Sequence, residues 1–349
     1  MPGRQITDLI RQMHLIQDYV DETDSTGVIL LLDMEKAFDR CSWDFLKKSM
    51  RTMGIEENMM KWIEMIYNED TPPSRSLKIN GFKGESFKLG SGVAQGCPLS
   101  PLLFLFIGEP LTRAIEADEE LEGITIGDYE HRVSQFADDT AAYLKDISQS
   151  KRLMEIVGVW EDATAMRANR AKTAIIPIGK TVRDFNRDKQ ELTRLLNEIG
   201  LPGPSEEEWE IYLGAPIASD KKVYKTFLEK KYLSMKKKLS QWKGLNGLTA
   251  HGRTIVANFL IFSQLRYWAQ LMVIPEKIMK WIDKDAQALL WNKEIQFEEG
   301  ERGTEKVNKR FMRQGSEYNS KQDLGLGLLH WRDHIKAIQA RALLNYADG

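Results

Sequence analysis

The chain has 349 residues, 42% hydrophobic and 29% charged, with a formal net charge of −2, and its length exceeds a single typical core, so two or three packed subdomains are expected. No apolar run reaches the length of a membrane span and no apolar signal core opens the sequence, which predicts an intracellular protein without a membrane partner. The charge balance excludes a uniformly basic nucleic-acid coat while leaving room for a local basic groove, and Cys41 and Cys97, the two cysteines, make no disulfide framework.

Residues 4–19 place Ile6, Leu9, Ile10 and Met13 at helical spacing with Asp8, Arg11 and Asp18 outside, which predicts an amphipathic helix. Gly27, Val28, Ile29, Leu30, Leu31 and Leu32 then read as a buried strand that delivers Asp33 at its end. A lone carboxylate there suits a metal site, and it also suits the N-cap of a following helix. Helical patterns over 43–53 and 56–67 break at Gly54, and a hairpin follows with strands near 77–79 and 86–89 around a glycine-containing loop over 80–84. A glycine-rich loop over 90–101 runs into an apolar helix over 99–117, with Pro98 at its start and Pro110 inside, where a kink is expected.

Ser134-Gln135-Phe136-Ala137-Asp138-Asp139-Thr140 is flanked by Val133 and by Ala141 to Leu144, the composition of two buried strands. Two adjacent acids at the top of such a hairpin either repel or share a divalent cation, and hard oxygen ligands suit Mg²⁺. An ordinary solvated turn is the rival reading. The next helix carries Leu153, Ile156, Val157 and Trp160, and it leads through 166–172 to a strand over 173–177. Strand, helix, hairpin, helix, strand is the split β-α-β order of a ferredoxin-like sheet. A helix over 183–199, a linker over 202–208 and a short strand around 212–216 come next. Between Lys221 and Arg253 stand nine lysines and one arginine against one acid, with aromatics interleaved, a pattern that suits a phosphate backbone. Helices are expected over 249–272 and 275–292, then an irregular stretch over 294–320. The glycine pair near 325–327 is too sparse for a dinucleotide fingerprint, and His330 with His334, one turn apart but lacking a third ligand, is a weak zinc candidate.

Three blocks, in this order, resemble the reverse transcriptase domain of non-LTR (LINE-type) retrotransposons. Leu32-Asp33-Met34-Glu35-Lys36-Ala37-Phe38-Asp39-Arg40 is similar to that family's motif A, Gln95-Gly96-Cys97-Pro98-Leu99-Ser100-Pro101 to motif B, and Phe136-Ala137-Asp138-Asp139 to motif C. The resemblance implies an α+β right-hand polymerase with a ferredoxin-like antiparallel palm sheet, incomplete fingers and an α-helical thumb. Its boundaries are 1–23 for a remnant of the fingers, 24–216 for the palm with a fingers insertion, 217–293 for a basic thumb and 294–349 for a post-thumb extension. The family places its first fingers strands ahead of such a start, so the resemblance implies a domain truncated at its N-terminus.

The function so implied is RNA-directed DNA polymerase, copying RNA into cDNA by two-metal phosphoryl transfer, with weak activity expected of a fragment that lacks the first fingers strands. Asp33, Asp138 and Asp139 are the implied catalytic residues, holding two Mg²⁺ ions, or Mn²⁺ in their place, with the backbone carbonyl of Met34. Phe38 falls where the family sets a bulky side chain against the sugar, and Gln95 and Gly96 line the template and nucleotide side. Lys172 matches a lysine that meets pyrophosphate, with a solvated lysine as its rival reading. Lys230, Lys231, Lys236 and Lys237 are the implied grip on nucleic-acid phosphates. The implied partners are an RNA template, a DNA primer, dNTPs and the RNA of its own element, in cytoplasm or nucleus. Ala94 departs from the pattern, since relatives carry Arg or another polar residue there. The rival functions are a catalytically inert RNA-binding remnant of a decayed element and a group II intron-like reverse transcriptase.

Overall fold

The computed structural model describes residues 5–203, 209–242, 248–291, 328 and 330–347. The chain divides into two compact units, Met1–Ser219 and Asp220–Gly349. The first begins with α1 (Ile6–Glu22), β1 (Thr26–Leu32), α2 (Ala37–Arg40), α3 (Trp43–Thr52), α4 (Glu57–Ile66), β2 (Ser74–Ile79) and β3 (Phe82–Lys88). It continues through α5 (Ser100–Ala117), β4 (Ile124–Ile126), β5 (Tyr129–His131), β6 (Val133–Phe136), β7 (Asp139–Leu144) and α6 (Gln149–Thr164). It ends with β8 (Ala174–Gly179), α7 (Lys180–Glu198), β9 (Glu210–Tyr212) and β10 (Ala215–Ile217).

β1 has no polar face to offer water, so it must lie inside a sheet and be covered on both sides. It does: the four-stranded sheet has the order β6-β7-β1-β8, with every pairing antiparallel. That is the predicted split β-α-β arrangement. Val28, Leu30 and Leu32 point into a core shared with Leu103, Phe104 and Ile107 of α5 and Leu153, Val157 and Trp160 of α6. Each such fully buried side chain contributes about 1.5–3 kcal/mol. Ile29 and Leu31 are buried on the opposite face.

α5 runs through Pro110 as one helix. Proline has no N–H to give the carbonyl four residues back, and that carbonyl, of Phe106, instead accepts from the Ser49 hydroxyl of α3. The next carbonyl, of Ile107, accepts from Trp160 Nε1 at 2.9 Å. The helix is thereby tied to both α3 and α6 where its own ladder is weakest.

The hairpin β2–β3 is longer than the sequence reading and turns at Asn80-Gly81, with Ile79 opposite Phe82. Asn80 and Gly81 both take positive φ, +50° and +90°, which these two residue types tolerate best and which a tight hairpin turn requires. α7 starts at Lys180, directly from β8, rather than at 183.

The second unit comprises α8 (Val223–Gln241), α9 (Ala250–Ala257), α10 (Ser263–Ala269), α11 (Glu276–Leu290) and α12 (Trp331–Ala347). A single helix over 249–272 is corrected by a π-helical turn, Asn258–Phe262, between α9 and α10. Among the described residues no helix is long and apolar enough to cross a membrane. Arg4, residues 204–208 of the linker expected over 202–208, Lys243, the stretch 294–320 and the glycine pair at 325–327 lie outside the described residues.

Candidate active site

Asp33 follows the last residue of β1 directly and is exposed, while α2 begins only at Ala37 behind Lys36. The N-cap reading of Asp33 is therefore excluded. The segment after α6 clasps the Asp33 backbone: Asn169 N–H donates to the Asp33 carbonyl at 2.7 Å and Glu35 N–H to the Arg167 carbonyl at 2.9 Å, with Met34 bridged to Ala168. Backbone groups alternate in direction along an extended chain. The Met34 carbonyl is thus turned away from Ala168, toward the β7 side of β1.

β6 and β7 close on the pair Phe136 and Asp139, leaving Ala137 and Asp138 as a two-residue turn. Ala137 sits at φ +55°, a left-handed conformation that a residue with a Cβ adopts only under compulsion. On the other side of the sheet the register pairs Leu32 with Thr140, so one step further Asp33 meets Asp139. The Asp139 carboxyl is raised above its ordinary pKa, first by the protein packed around it and then by the charges of Asp138 and Asp33. Residue 139 as a whole is exposed, so the crowding is local to the carboxyl. Asp33 and Asp138 thus each lie near enough to Asp139 for their charges to act on it. Tyr212 of β9, which the sequence reading left without a role, donates its hydroxyl to the Asp139 carbonyl oxygen at 3.3 Å.

Among the described residues no three His, Cys, Asp or Glu side chains are gathered tightly enough to form a metal cage. Mg²⁺ seldom asks for one: it keeps waters and takes one or two carboxylates plus substrate phosphate oxygens. A donor set of hard oxygens from Asp33, Asp138, Asp139 and the Met34 carbonyl fits that habit.

The glycine-rich loop docks on the turn that follows Asp33. Val93 N–H donates to the Phe38 carbonyl at 2.7 Å and Gly92 N–H to the Cys41 carbonyl at 2.9 Å, while Trp43 Nε1 donates to the Gly92 carbonyl at 2.8 Å. Gly92 has φ +83°, and a Cβ there would meet the Asp39 carbonyl oxygen at 2.5 Å, so only glycine permits the approach. Beyond this dock Gln95 and Gly96 are exposed, and Gly96 has open space around it. Phe38 is half-buried and stacks on Phe104 of α5, ring centroids 4.9 Å apart at 21°.

Lys172 closes a 3-10 turn, Arg170–Lys172, and its Nζ stands 3.9 Å from Asp33 Oδ2. Behind the same turn lies Glu161, buried at 5% exposure, accepting from Ala168 N–H at 2.6 Å and Arg170 Nη2 at 3.0 Å. Sequence reasoning missed it because it looks like any helical acid, and its partners lie beyond the helix end, outside any periodicity.

The family described as reverse transcriptase (RNA-dependent DNA polymerase) matches residues 1–214. The chain belongs to the reverse transcriptase family. Its curated relatives include the Transposon TX1 uncharacterized 149 kDa protein of Xenopus laevis, 27% identical over 83% of this chain and 21% of that protein. Another is the Retrovirus-related Pol polyprotein from type-2 retrotransposable element R2DM of Drosophila melanogaster, 26% identical over 52% of this chain and 17% of that one. The resemblance to non-LTR retrotransposon reverse transcriptases is thereby borne out, and the chain spans about a fifth of the length of these two relatives. Among solved structures, telomerase from Candida Tropicalis superposes with a TM-score of 0.40 at 13% identity, covering 66% of this chain and 38% of that chain. A score that low decides nothing.

In the second unit of this reverse transcriptase the four singled-out lysines have different fates. Lys230 and Lys237 are exposed on α8. Lys231 lies over the Phe227 ring at 5.2 Å and the Trp268 ring at 5.7 Å. Lys236 turns inward, 3.9 Å from Asp285 with its side chain only 13% exposed, and Asp285 also accepts from the Tyr232 hydroxyl. Burial pushes the Asp285 carboxyl up. His330 is paired with Asp333, Nδ1 to Oδ2 2.7 Å, and no zinc cluster forms among the described residues.

Proposed function

We propose that the chain is the polymerase domain of a non-LTR retroelement and extends a DNA primer along an RNA template with dNTPs. The observation that carries this reading is that Asp33, at the end of the central buried strand, falls opposite Asp139 one step beyond the Leu32–Thr140 pair, with Asp138 beside it in the β6–β7 turn. In this reading the four-stranded sheet is a palm, β2–β3 with the helices before it a fingers insertion, and the helices of the second unit a thumb. The RNA of its own element is the proposed template, and cytoplasm or nucleus the proposed place of work.

Asp33, Asp138 and the Met34 carbonyl would hold two Mg²⁺ ions, with Asp139 as the weaker fourth donor and Mn²⁺ as a substitute. When bound, such a pair stabilises the attacking and the leaving oxygen of an in-line displacement. Every other part of the chemistry is positioning and charge, since phosphoryl transfer leaves little covalent work to the protein. Lys172, already beside Asp33, is placed to meet the negative charge that builds on the departing pyrophosphate. Phe38, braced on Phe104, presents an apolar edge with no hydrogen-bonding capacity, which disfavours a sugar carrying a 2′-hydroxyl. Exposed Gln95 and Gly96 leave room for template and nucleotide to lie along the loop. Lys230 and Lys237, exposed on α8, are among the lysines placed to meet backbone phosphates.

Incorporation of a labelled deoxynucleotide on a primed RNA template tests the reading. The chain should add nucleotide in Mg²⁺, and Asp33→Asn and Asp138→Asn should each abolish addition while retaining binding to primed RNA. Addition by Asp138→Asn within about tenfold of the parent would sink the assignment. A parent that binds primed RNA but adds nothing would make the domain an inert RNA-binding remnant.

A further inference from the structure

Glu161 takes no part in the chemistry above, yet it is a carboxylate almost wholly removed from water. Burial of that kind is costly unless both oxygens find donors. Here Oε1 accepts the Ala168 N–H and Oε2 accepts Arg170 Nη2. The donors are two residues apart on the chain that leaves α6, so one side chain fastens that segment at two points. Between them Asn169 gives its N–H to the Asp33 carbonyl, and just before them the Arg167 carbonyl accepts the N–H of Glu35. Lys172, two residues past Arg170, reaches Asp33 Oδ2. Other fixings nearby hold the end of α6 itself: Thr164 Oγ1 donates to the Trp160 carbonyl and accepts from Met166 N–H. Thr173 Oγ1 also donates to the Asn169 carbonyl at 3.3 Å, and exposed Arg167 pairs with Asp162 at 3.4 Å; Glu161 is the buried side chain that holds the stretch at two points.

We propose that Glu161 is a positioning residue that, through the 168–172 segment, sets the aim of Asp33 and the reach of Lys172. It touches neither substrate nor reacting atoms. Side chains held within about half an ångström of productive geometry need such support from behind. The role in activity rests on the polymerase reading; the mechanical link from Glu161 to Asp33 does not.

Two measurements on the full chain test this, using Glu161→Ala, Glu161→Gln, Lys172→Ala and the Glu161→Ala/Lys172→Ala pair. In native-state amide exchange, Glu161→Ala should speed exchange at Glu35 and Asn169 by about tenfold or more while the interior amides of β1 stay as in the parent. Glu161→Gln keeps an acceptor for Ala168 N–H and loses only the ion pair, so its effect should be smaller; it also carries the comparison if the alanine variant does not fold. Lys172→Ala should leave exchange unchanged. In single-nucleotide addition, Glu161→Ala should lower kcat with KM for dNTP near the parental value, and the double variant should be no slower than Glu161→Ala alone, because a mispositioned Lys172 has little left to lose. Unchanged exchange at Glu35 and Asn169, or losses that simply multiply, would overturn the proposal. A parent without any addition would end the polymerase reading and leave exchange to decide the positioning.

Discussion

Leu32 and Thr140 face each other in the last pair of the β1–β7 register, and the residues one step beyond them are both acids, Asp33 and Asp139. Like charges opposed across a sheet are destabilising, so the fold carries a charge penalty at this point. Because the Asp139 carboxyl is raised above 3.8, the folded chain holds more protons than the unfolded one from that pH up to the raised value. Stability therefore falls as pH rises through that window, and the penalty is fully present above it. Asp139→Asn should remove this contribution. Thermal unfolding followed from acid toward neutral pH should show the variant gaining on the parent as pH rises; parallel curves would show that neither burial nor the neighbouring acids raise the Asp139 carboxyl.

Gly92 and Gly96 share nearly the same φ, +83° and +84°, in different surroundings. Gly96→Ala meets open space and should cost only the backbone strain of about 1–2 kcal/mol. Gly92→Ala should cost more, since its Cβ collides with the Asp39 carbonyl and the loop must leave the Phe38–Cys41 turn. Denaturant melts of the two variants, with nucleotide addition alongside, check this; equal losses would mean the dock is not rigid.

Lys236 and Lys237 are neighbours in sequence with opposite assignments. Lys236→Gln removes the cation beside buried Asp285 and should lower stability by about 1–3 kcal/mol, with little change in the salt dependence of RNA binding. Lys237→Gln should leave stability within about 0.5 kcal/mol and make the fall of binding with salt shallower, by about one counterion or less. Reversed outcomes would mean that α8 presents its other face to nucleic acid.

Phe38 has two jobs in this reading, and substitution separates them. Phe38→Val should lose the stack on Phe104, worth about 0.5–1.5 kcal/mol beyond area burial, and should admit ribonucleotides that the parent rejects. If stability drops while discrimination between rNTP and dNTP stays parental, the ring is a core aromatic and nothing more.

The sheet was legible because each of its signals is local. The aliphatic run before Asp33 admits only a doubly covered strand, and the flanks of Asp138 and Asp139 admit only a short hairpin. Their meeting followed from the order of elements. The fates of Lys231 and Lys236 were not legible, because a lysine's direction depends on whether a ring or a carboxylate waits on a helix distant in sequence, here Trp268 of α10 and Asp285 of α11. Tyr212 was hidden because its partner, the Asp139 carbonyl, is 73 residues away, and Glu161 because its partners lie past the end of its helix, outside any periodicity. The π-helical turn at 258–262 has no signature in its side chains that we can identify.

β1 is the inner strand of the sheet, and both of its partners come from far downstream: residues 28–32 pair with 140–144, and 26–31 with 174–179. Closing loops of that length is entropically unfavourable, and pairings so remote in sequence form slowly. On the ribosome Asp33 must wait for more than a hundred further residues before Asp138 and Asp139 exist. No nascent chain that ends short of β7 can bring the acids together, and β1 stays uncovered on its other edge until β8 has been made.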